Sequence, residues 1–587
     1  MRKMLTIEQR DAFPGYSDAL AHLMFHRGIR DAEAASRFVR PDYERDTHDP
    51  SLLKDADKAA ARIIRAIHTG EKIAIYSDYD CDGIPGAAMF HDFFRRIGYT
   101  NFVTYIPHRH NEGFGVNEGA IDELASQGVQ LLVTIDCGIS DKEAIAHAVE
   151  KGIEVIVTDH HEPPAELPPA IAIVDPKQVD CAYPDKGLCG TGVAYKLIQA
   201  ILAKDRFGLK EGHEKWLLDL VGIATLSDMV PLTGENRVFA SYGMQVLRKS
   251  PRRGLRKLLS MLRISQEHLT EDDIAFMVTP RINAASRMGV PMDAFDLLVA
   301  DDDESAARTA EHLDRINNER KGIVASLVKE VKRLVHDRHA ADGIPSVIVL
   351  GNPDWRPSLL GLAANSCAEE FRRPVFLWGR DGEGGYKGSC RSEGATHVVE
   401  LMRAVPAGTF SEFGGHHHSG GFGVAGDAIH YLEDRLNAAA HAMNAKAAQV
   451  AQDAAGAHPS VAGANGDSGD SEDMIDLELT LDRVDARFAD DIGKLAPFGM
   501  GNRKPVFLFR NVSPASVRRF GKASEHIELG FKRADGSSIA AISFFGAANE
   551  WASRVSPGKP VDLIASVEKS MFRGRPEIRL RIVDVEA

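Results

Sequence analysis

No stretch of this 587-residue chain reaches the roughly 18 apolar residues that a membrane helix needs, and its opening, MRKMLTIEQR, lacks the apolar core of a secretory signal. Those absences predict a soluble, cytoplasmic protein with no membrane contact. Cysteine is scarce: there are six, at Cys81, Cys137, Cys181, Cys189, Cys367 and Cys390, and no two form a C-x-x-C pair. A zinc ribbon and a disulfide framework are therefore both disfavoured, and free thiols in a reducing compartment are expected. No G-x-G-x-x-G follows the first apolar strand, which removes a nicotinamide-binding Rossmann enzyme from consideration. No internal repeat recurs at a fixed period.

What the chain has is length, enough for three or four domains, and an uneven charge distribution. Its net charge is −14, which on its face argues against a polyanionic partner. The distribution says otherwise. Residues 449–492 carry eleven acidic and two basic side chains, whereas residues 495–587 carry fifteen basic and nine acidic. The acidic sum thus leaves room for a basic C-terminal face.

Residues 1–60 read as a helical region. From 61 to about 300, short apolar strands alternate with helices. The strands are 72-KIAIYS-77, 102-FVTYIP-107, 130-QLLVTI-135, 153-IEVIVT-158 and 170-AIAIV-174, and the helices include 84–98 and 140–152. Such alternation predicts an α/β fold with a doubly wound, mainly parallel sheet. A long connecting helix is expected over 301–336, and a smaller α/β domain over 337–445 with strands at 345–350 and 374–379. Residues 446–473, rich in Ala, Gly, Ser and Asp, read as a flexible linker. Residues 474–587 alternate as strands with turns at Asp535-Gly536 and Arg573-Gly574, which suits a small OB-like β-barrel.

The acidic residues fall where those strands end. The run 78-DYDCDG-83 follows the first strand, Asp136 the third and 159-DHH-161 the fourth. In an open parallel sheet the carboxyl ends of the strands line one crevice. Asp80, Asp82, Asp136, Asp159, His160 and His161 should therefore converge, with Asp228, in 225-TLSDMVPL-232, arriving from a helical segment. A lone Asp at a strand end is more often a helix cap, and Asp159 fits a role orienting a histidine. The whole set is harder to explain that way, because clustered carboxylates repel one another unless a cation lies among them. Oxygen ligands with one or two imidazoles suit two Mn²⁺ or Mg²⁺ ions, the equipment for phosphodiester hydrolysis.

In order, DYDCDG, TIDCG, TDHH and SDMVPL resemble the motifs of the DHH phosphoesterases. The resemblance extends along nearly the whole chain through 22-HLMFHRGI-29, 105-YIPHRHNEGFG-115, 187-GLCGTGVAYKL-197 and 279-TPRINAASRM-288. It continues in 388-GSCRS-392 and 414-GGH-416, marks of the associated DHHA1 domain, and in 496-APFGMGN-502, which resembles the entry to an OB-type domain. It is greatest to the branch of single-strand-specific 5′→3′ DNA exonucleases, which act in repair and recombination and release mononucleotides. That resemblance implies Asp80, Asp82, Asp136, His160 and Asp228 as metal ligands, His161 as a catalytic neighbour and Asp78 behind the ligands. It implies that some of Arg109, His110, Arg287, Ser389, Arg391 and His416 hold the 5′-terminal phosphate; the two-domain reading adds the expectation of an interdomain cleft too narrow for a duplex. Ser286 and Ser358 stand where the family has glycine, and a positive φ at Ser286 would disturb Arg287. His417 and His418 extend a His-rich run; solvated or capping roles are expected.

Arg518, Arg519, Lys522, Arg573 and Arg575, interleaved with Phe520 and Phe572, could track a single strand of DNA, although Arg alternating with apolar residues also describes an ordinary half-buried strand. A monomer is expected, and a single-stranded-DNA-binding protein and a helicase are partners the resemblance leaves open. Two rival readings remain. One is a family member acting on short oligonucleotides or cyclic dinucleotides. The other is a non-catalytic scaffold, which should have lost metal ligands that this chain retains.

Overall fold

The computed structural model describes residues 2–340, 343–381, 384–394, 396–415, 417–455, 475–570 and 577–586. Contacts divide the chain into two compact units. The first gathers Met1–Tyr105, Glu118–Thr279 and Gly469–Ala587; the second gathers Ile106–Asn117 and Pro280–Ser468.

In the first unit, β1 (Ile73–Ser77), β2 (Phe102–Tyr105), β3 (Leu131–Ile135), β4 (Glu154–Thr158) and β5 (Ala172–Val174) make an all-parallel sheet ordered β2-β1-β3-β4-β5. β1 and β3 are buried along their whole length, which is why they read as unbroken apolar runs rather than as alternation. The hydrogen-bond ladder continues one residue past the strands. Asp78 N–H donates to the Ile135 carbonyl (3.1 Å), Asp136 N–H to that of Thr158 (3.0 Å) and Asp159 N–H to that of Val174 (3.1 Å). Three acidic residues are thereby fixed in a row along the carboxyl edge by backbone bonds alone.

Several boundaries differ from those expected. β2 stops at Tyr105 rather than at 107, and Arg109 and His110 lie in a turn over 109–112; Pro107 has no N–H to extend the ladder. The middle stretch of the first unit ends at Thr279, and Pro280 onward belongs to the second unit. The long helix runs Asp303–His339. The helix Leu432–Ala455 continues through 446–455, the first part of the expected linker, because AKAAQVAQDAA is rich in strong helix formers. The rest of that linker, 456–473, lies outside the described residues, as do Phe572 and the expected Arg573-Gly574 turn.

The C-terminal sheet comprises β11 (Leu477–Glu478), β12 (Phe507–Val512), β13 (Pro514–Phe520), β14 (His526–Lys532), β15 (Ser538–Ser543), β16 (Val561–Ser570) and β17 (Glu577–Glu586), ordered β11-β12-β16-β17-β15-β14-β13. Its inner face shares one core with the N-terminal helices: Phe13, Leu20, Leu23 and Met24 pack with Phe507, Leu529, Leu563 and Leu580. The two ends of the chain thus build a single body, where the sequence suggested separate regions. Periodicity marks the apolar face of a helix but not the partner it packs on.

The second unit has a five-stranded sheet ordered β6 (Ile348–Gly351), β7 (Val375–Arg380), β8 (Tyr386–Arg391), β10 (Ser419–Val424), β9 (Phe410–Gly415). Only β6 and β7 pair in parallel; the later strands are antiparallel.

One helix crossing bears directly on the acidic cluster. The helices Leu218–Ser227 and Gly234–Leu247 meet at Gly222 and Gly243, where a Cβ on Gly222 would stand 2.7 Å from Gly243 Cα. Asp228 follows the first of these helices immediately. Gly222→Ala should lower the denaturant stability of the first unit by about 1–3 kcal/mol through overpacking, and should displace Asp228 from the acidic cluster. An unchanged urea midpoint would show that the crossing has slack.

Candidate metal centre

The site is built from five chain segments. Asp78 follows β1 directly, with Asp80 and Asp82 in the turn that leads into the helix Gly83–Arg96. The Asp80 carboxylate accepts from Asp82 N–H (2.7 Å) and Gly83 N–H (3.3 Å), which closes that turn. Gly83 is obligatory there, because a Cβ would sit 2.4 Å from the Asp78 carbonyl oxygen. Asp82 is buried, and its two oxygens accept from Gly190 N–H (2.6 Å) and Thr191 N–H (2.8 Å). Those amides open the helix Gly190–Lys204, and the positive end of a helix favours a carboxylate. The motif 187-GLCGTGVAYKL-197 thus acquires a role its spelling did not disclose, although a Gly-x-Gly at a helix start was the available signal. Gly190 itself allows the approach, since a Cβ would lie 2.6 Å from Asp136 Oδ1.

Asp136 adopts φ +62°, a left-handed conformation that Asp tolerates better than most residues. His160 Nε2 lies 3.1 Å from Asp136 Oδ1, 3.7 Å from Asp228 Oδ2 and 3.8 Å from Asp82 Oδ2. A backbone hydrogen bond with Leu188 anchors this ring. The Asp159 carboxylate accepts from the backbone N–H groups of Ile139, His160 and His161, and pairs with His161 Nδ1 at 2.7 Å.

Three groups of side chains have ligand atoms within 4.8 Å of one another: Asp136, His160 and His161; Asp82, His160 and Asp228; and Asp78, Asp80 and Asp136. Asp78, expected behind the ligands, therefore stands at ligand spacing, as does His161. Asp136 Oδ1 and Asp228 Oδ2 are buried with no hydrogen-bond donor. Two carboxylates some 4 Å apart repel by roughly 4 kcal/mol even at an effective dielectric constant near 20.

The titration behaviour reflects that crowding. Burial, then the charge of Asp82, raises the Asp136 pKa well above the usual carboxylate value. Burial and Asp80 push Asp82 to about 6, despite its bonds to the helix amides. Burial and then Asp82 push Asp228 to about 9. His160 falls to about 3, through burial first and the charge of His161 second. Burial would lower His161 too, but its pairing with Asp159 outweighs this and the His161 pKa is raised. A cluster of orphaned carboxylate oxygens and a neutral imidazole nitrogen fits hard or borderline divalent cations such as Mn²⁺ and Mg²⁺.

A cationic group forms within the second unit. His110 Nε2 lies 3.3 Å from the Arg287 carbonyl oxygen. Arg287 Nη1 donates to the Ser358 carbonyl (3.0 Å), and Ser358 Oγ donates to the Arg287 carbonyl (3.1 Å). Ser286 lies inside the helix Thr279–Met288 and is absent from the positive-φ positions. The strain expected there does not arise, because the residue continues a helix instead of making a turn. Arg391 Nη1 donates to the Cys390 carbonyl (2.7 Å). A Cβ on Gly361 would come within 2.9 Å of Arg391 Nη2 and 3.5 Å of Ser389 Oγ, so that glycine makes space for both side chains. Burial, and then repulsion by Arg109, lowers the Arg391 pKa. Arg356 also bears on His110, and sequence reading missed it; its place before the Pro357 that opens a helix was the only hint.

His416, Arg573 and Arg575 lie outside the described residues. The rings of His417 and His418 meet edge to face at 4.3 Å, and their carbonyls accept from Val398 and Ser392 N–H; neither joins a metal-ligand group among the described residues. Arg518 makes a two-pronged pair with Glu528, while Arg519 and Lys522 are exposed.

Family comparison agrees with this architecture. Residues 72–225 match the DHH family N-terminal domain, 345–449 the DHHA1 domain and 475–584 the RecJ OB domain. The chain is 31% identical over 567 residues to the single-stranded-DNA-specific exonuclease RecJ of Bacillus subtilis, covering 96% of this chain and 67% of the relative. It is 32% identical over 429 residues to the Escherichia coli RecJ, covering 71% and 74%. The fold resembles the crystal structure of Thermus thermophilus RecJ in complex with Mn²⁺, with a TM-score of 0.76 at 26% identity, covering 99% of this chain and 77% of that one.

Without metal, the carboxylates should make the fold sensitive to pH. Asp82 and Asp228 have folded-state pKa values of about 6 and about 9 against a usual 3.8, so between those limits the folded chain binds more protons than the unfolded one. Stability therefore falls as pH rises across that window. Metal-free protein should melt at a lower temperature at pH 9 than at pH 6, and Asp228→Asn should narrow the gap. Mn²⁺ should stabilise the wild type far more than the variant. Identical pH profiles for the two proteins would mean that Asp228 is not under repulsion.

Proposed function

The chain belongs to the RecJ family, and we propose that it is a hydrolase, a metal-dependent exonuclease that degrades single-stranded DNA from the 5′ end to mononucleotides. The observation that carries this reading is the buried set of carboxylates and histidines in a chain that also carries the RecJ OB domain.

In this reading Asp80, Asp82, Asp136, His160 and Asp228 hold two divalent cations, with Asp78 and His161 adjoining them. Cations bound there supply Lewis acidity, which neutralises a phosphate and makes a water more acidic. The chain's own groups do the rest. The helix amides at Gly190 and Thr191 keep Asp82 in place. The Leu188 backbone fixes His160 so that Nε2 faces the carboxylates. Asp159 aligns His161 and raises its pKa, which suits the ring to donate a hydrogen bond to a phosphate oxygen or a proton to the leaving 3′ oxygen. Water oxygen bonds to phosphorus, the P–O3′ bond breaks, and a 5′-mononucleotide departs.

Arg109, His110, Arg287, Ser389 and Arg391 are assigned to the 5′-terminal phosphate. Supporting this, the partly buried Arg391 guanidinium has only a backbone carbonyl as hydrogen-bond acceptor among the described residues, and guanidinium suits paired bonds to phosphate. Because the residues assigned to the reaction come from one chain, we read the enzyme as a monomer. A helicase would supply its single strand, and a single-stranded-DNA-binding protein would present it. The cytoplasm, where such DNA is repaired, is the proposed location. Among the described residues no helix is long and apolar enough to cross a membrane.

The test is a long single strand with a 5′ phosphate and a 3′ fluorophore, incubated with Mn²⁺. A ladder shortening from the 5′ side is expected. Asp136→Ala should reduce the rate by about 10³-fold or more, the scale of losing several kcal/mol of charge stabilisation. An intact long strand beside rapid dinucleotide cleavage would move the protein to the small-substrate branch. Arg391→Ala should cost roughly 10- to 100-fold in kcat/KM on a 5′-phosphorylated strand, and little on one ending in a 5′ hydroxyl. Equal losses on both strands would remove Arg391 from the phosphate site.

A further inference from the structure

The long helix Asp303–His339 carries positive charge that neither the acidic cluster nor the phosphate residues use. Helical periodicity turns Lys321, Val328 and Lys332 to one side, with Arg320, Val324 and Lys329 flanking them. Together with Ser366 from the helix Pro357–Phe371, these side chains line an open groove of about 490 Å³. The opposite side of the long helix, through Ile323, Ser326 and Glu330, lines a second groove with Trp355 and Arg356. Arg356 is the residue whose charge bears on His110. The second groove, not the first, therefore adjoins the residues assigned to the 5′-terminal phosphate.

Cations outnumber the carboxylates around the first groove. Arg281 pairs with Asp314 at 2.7 Å, and Lys332 pairs with Glu370. Glu369, the neighbouring acid, accepts from Asn365 Nδ2 at 2.6 Å. Glu319 and Glu330 fall on the opposite side of the long helix, where Glu330 accepts from Trp355 Nε1. Arg320, Lys321 and Lys329 make no ion pair among the described residues, although the charge of Asp314 reaches Lys321. The Arg320 guanidinium is fixed in place: its Nε and Nη2 donate to Oδ1 of the fully buried Asn317 at 3.2 and 2.9 Å. Burial and then the charge of Arg281 lower the Arg320 pKa; burial, Arg281 and Arg320 lower that of Lys321. Positive groups crowded in this way are relieved by an anion, as crowded carboxylates are by a cation.

We propose that this groove binds a free nucleoside triphosphate, with its phosphates on Arg320, Lys321 and Lys329 and its base against Val324 and Val328. The volume is that of a small-molecule site, roughly 300–1,000 Å³. Phosphate oxygens answer the unmatched cations, which lysine stems are long enough to bring together. A flat ring answers the valines, which an acidic peptide would leave uncovered. The site goes beyond the exonuclease reading, because it draws on no candidate metal ligand and on no residue assigned to the 5′ phosphate.

The experiment titrates the full chain with ATP in EDTA, so that no metal joins the nucleotide to the acidic cluster. Lys321 and Lys329 are exposed, so the double variant Lys321→Gln/Lys329→Gln should fold normally. It should bind ATP about 10- to 100-fold more weakly than the wild type, whereas Arg391→Ala should bind ATP as the wild type does. Inorganic tripolyphosphate should bind the wild type roughly 5-fold or more weakly than ATP, having nothing to bury against the valines. A single strand of about 20 nucleotides, longer than one nucleic-acid-binding domain spans, should bind the wild type and the lysine variant alike. Its cleavage with Mn²⁺ should also be equal in the two. Absence of ATP binding, or its loss in Arg391→Ala but not in the lysine variant, overturns the site. Equal affinity for tripolyphosphate overturns the nucleotide assignment. A strand that loses as much affinity as ATP in the lysine variant overturns it too, and makes the groove part of the strand's path.

Discussion

Everything at the acidic site follows from one constraint: carboxylates that repel one another must be held within a few ångströms in a region with little water. Side-chain packing alone resists such repulsion poorly, because the groups can rotate apart. Here the backbone does the holding. Asp78, Asp136 and Asp159 are each tied through their own N–H to the last carbonyl of the neighbouring strand. Parallel strands in register then place their acidic residues side by side without any choice of rotamer. Asp136 also accepts a left-handed backbone, a conformation costing of order 1 kcal/mol or more that persists only where the surroundings impose it.

The same constraint explains where side chains are missing. Gly83 lies under the Asp78 carbonyl, and Gly190 lies against Asp136. A methyl group at either position would meet an immovable atom of the cluster. These glycines permit the helix Gly190–Lys204 to bring its amides onto Asp82, a partial compensation for burying that carboxylate among others. The cluster is thus assembled from a sheet edge and a helix end, both backbone features of fixed position.

That origin also decides how much the sequence disclosed. The strand-end aspartates were legible because β1, β3 and β4 are short, apolar and followed at once by acid, so periodicity and position spoke together. The grouping of Asp78 with Asp80 and Asp136 was not legible, since it depends on which way a turn folds. The role of Gly190 and Thr191 was hidden in a motif with no charged residue. Ser286 misled because a glycine's absence was read as strain, whereas the residue lies in a helix that serine enters readily. The union of the N-terminal helices with the C-terminal sheet was invisible in principle, because nothing local in Leu20 or Phe507 names its partner.

Asp228 is the exception to backbone placement by the sheet. It comes from the C-terminal end of a helix, where the dipole opposes a negative charge, so something else must keep it in the cluster. Upstream, the glycine crossing at Gly222 and Gly243 fixes the helix axis. Downstream, Met229 turns the chain with φ +61°, and Leu232 N–H donates to the Met500 carbonyl at 2.8 Å. Gly499 and Gly501 allow that approach, because a Cβ on either would press on Leu232 or Pro231. Their segment is in turn held by Asn502, which bonds the Leu495 and Pro497 carbonyls and accepts from Arg27. The motif 496-APFGMGN-502, which reads as an entry to the C-terminal domain, is thus equally a brace for a residue assigned to the metal site. The N-terminal helices and the C-terminal sheet, far from Asp228 in sequence, share in setting its position, which gives a physical reason for one core to join the two ends of the chain.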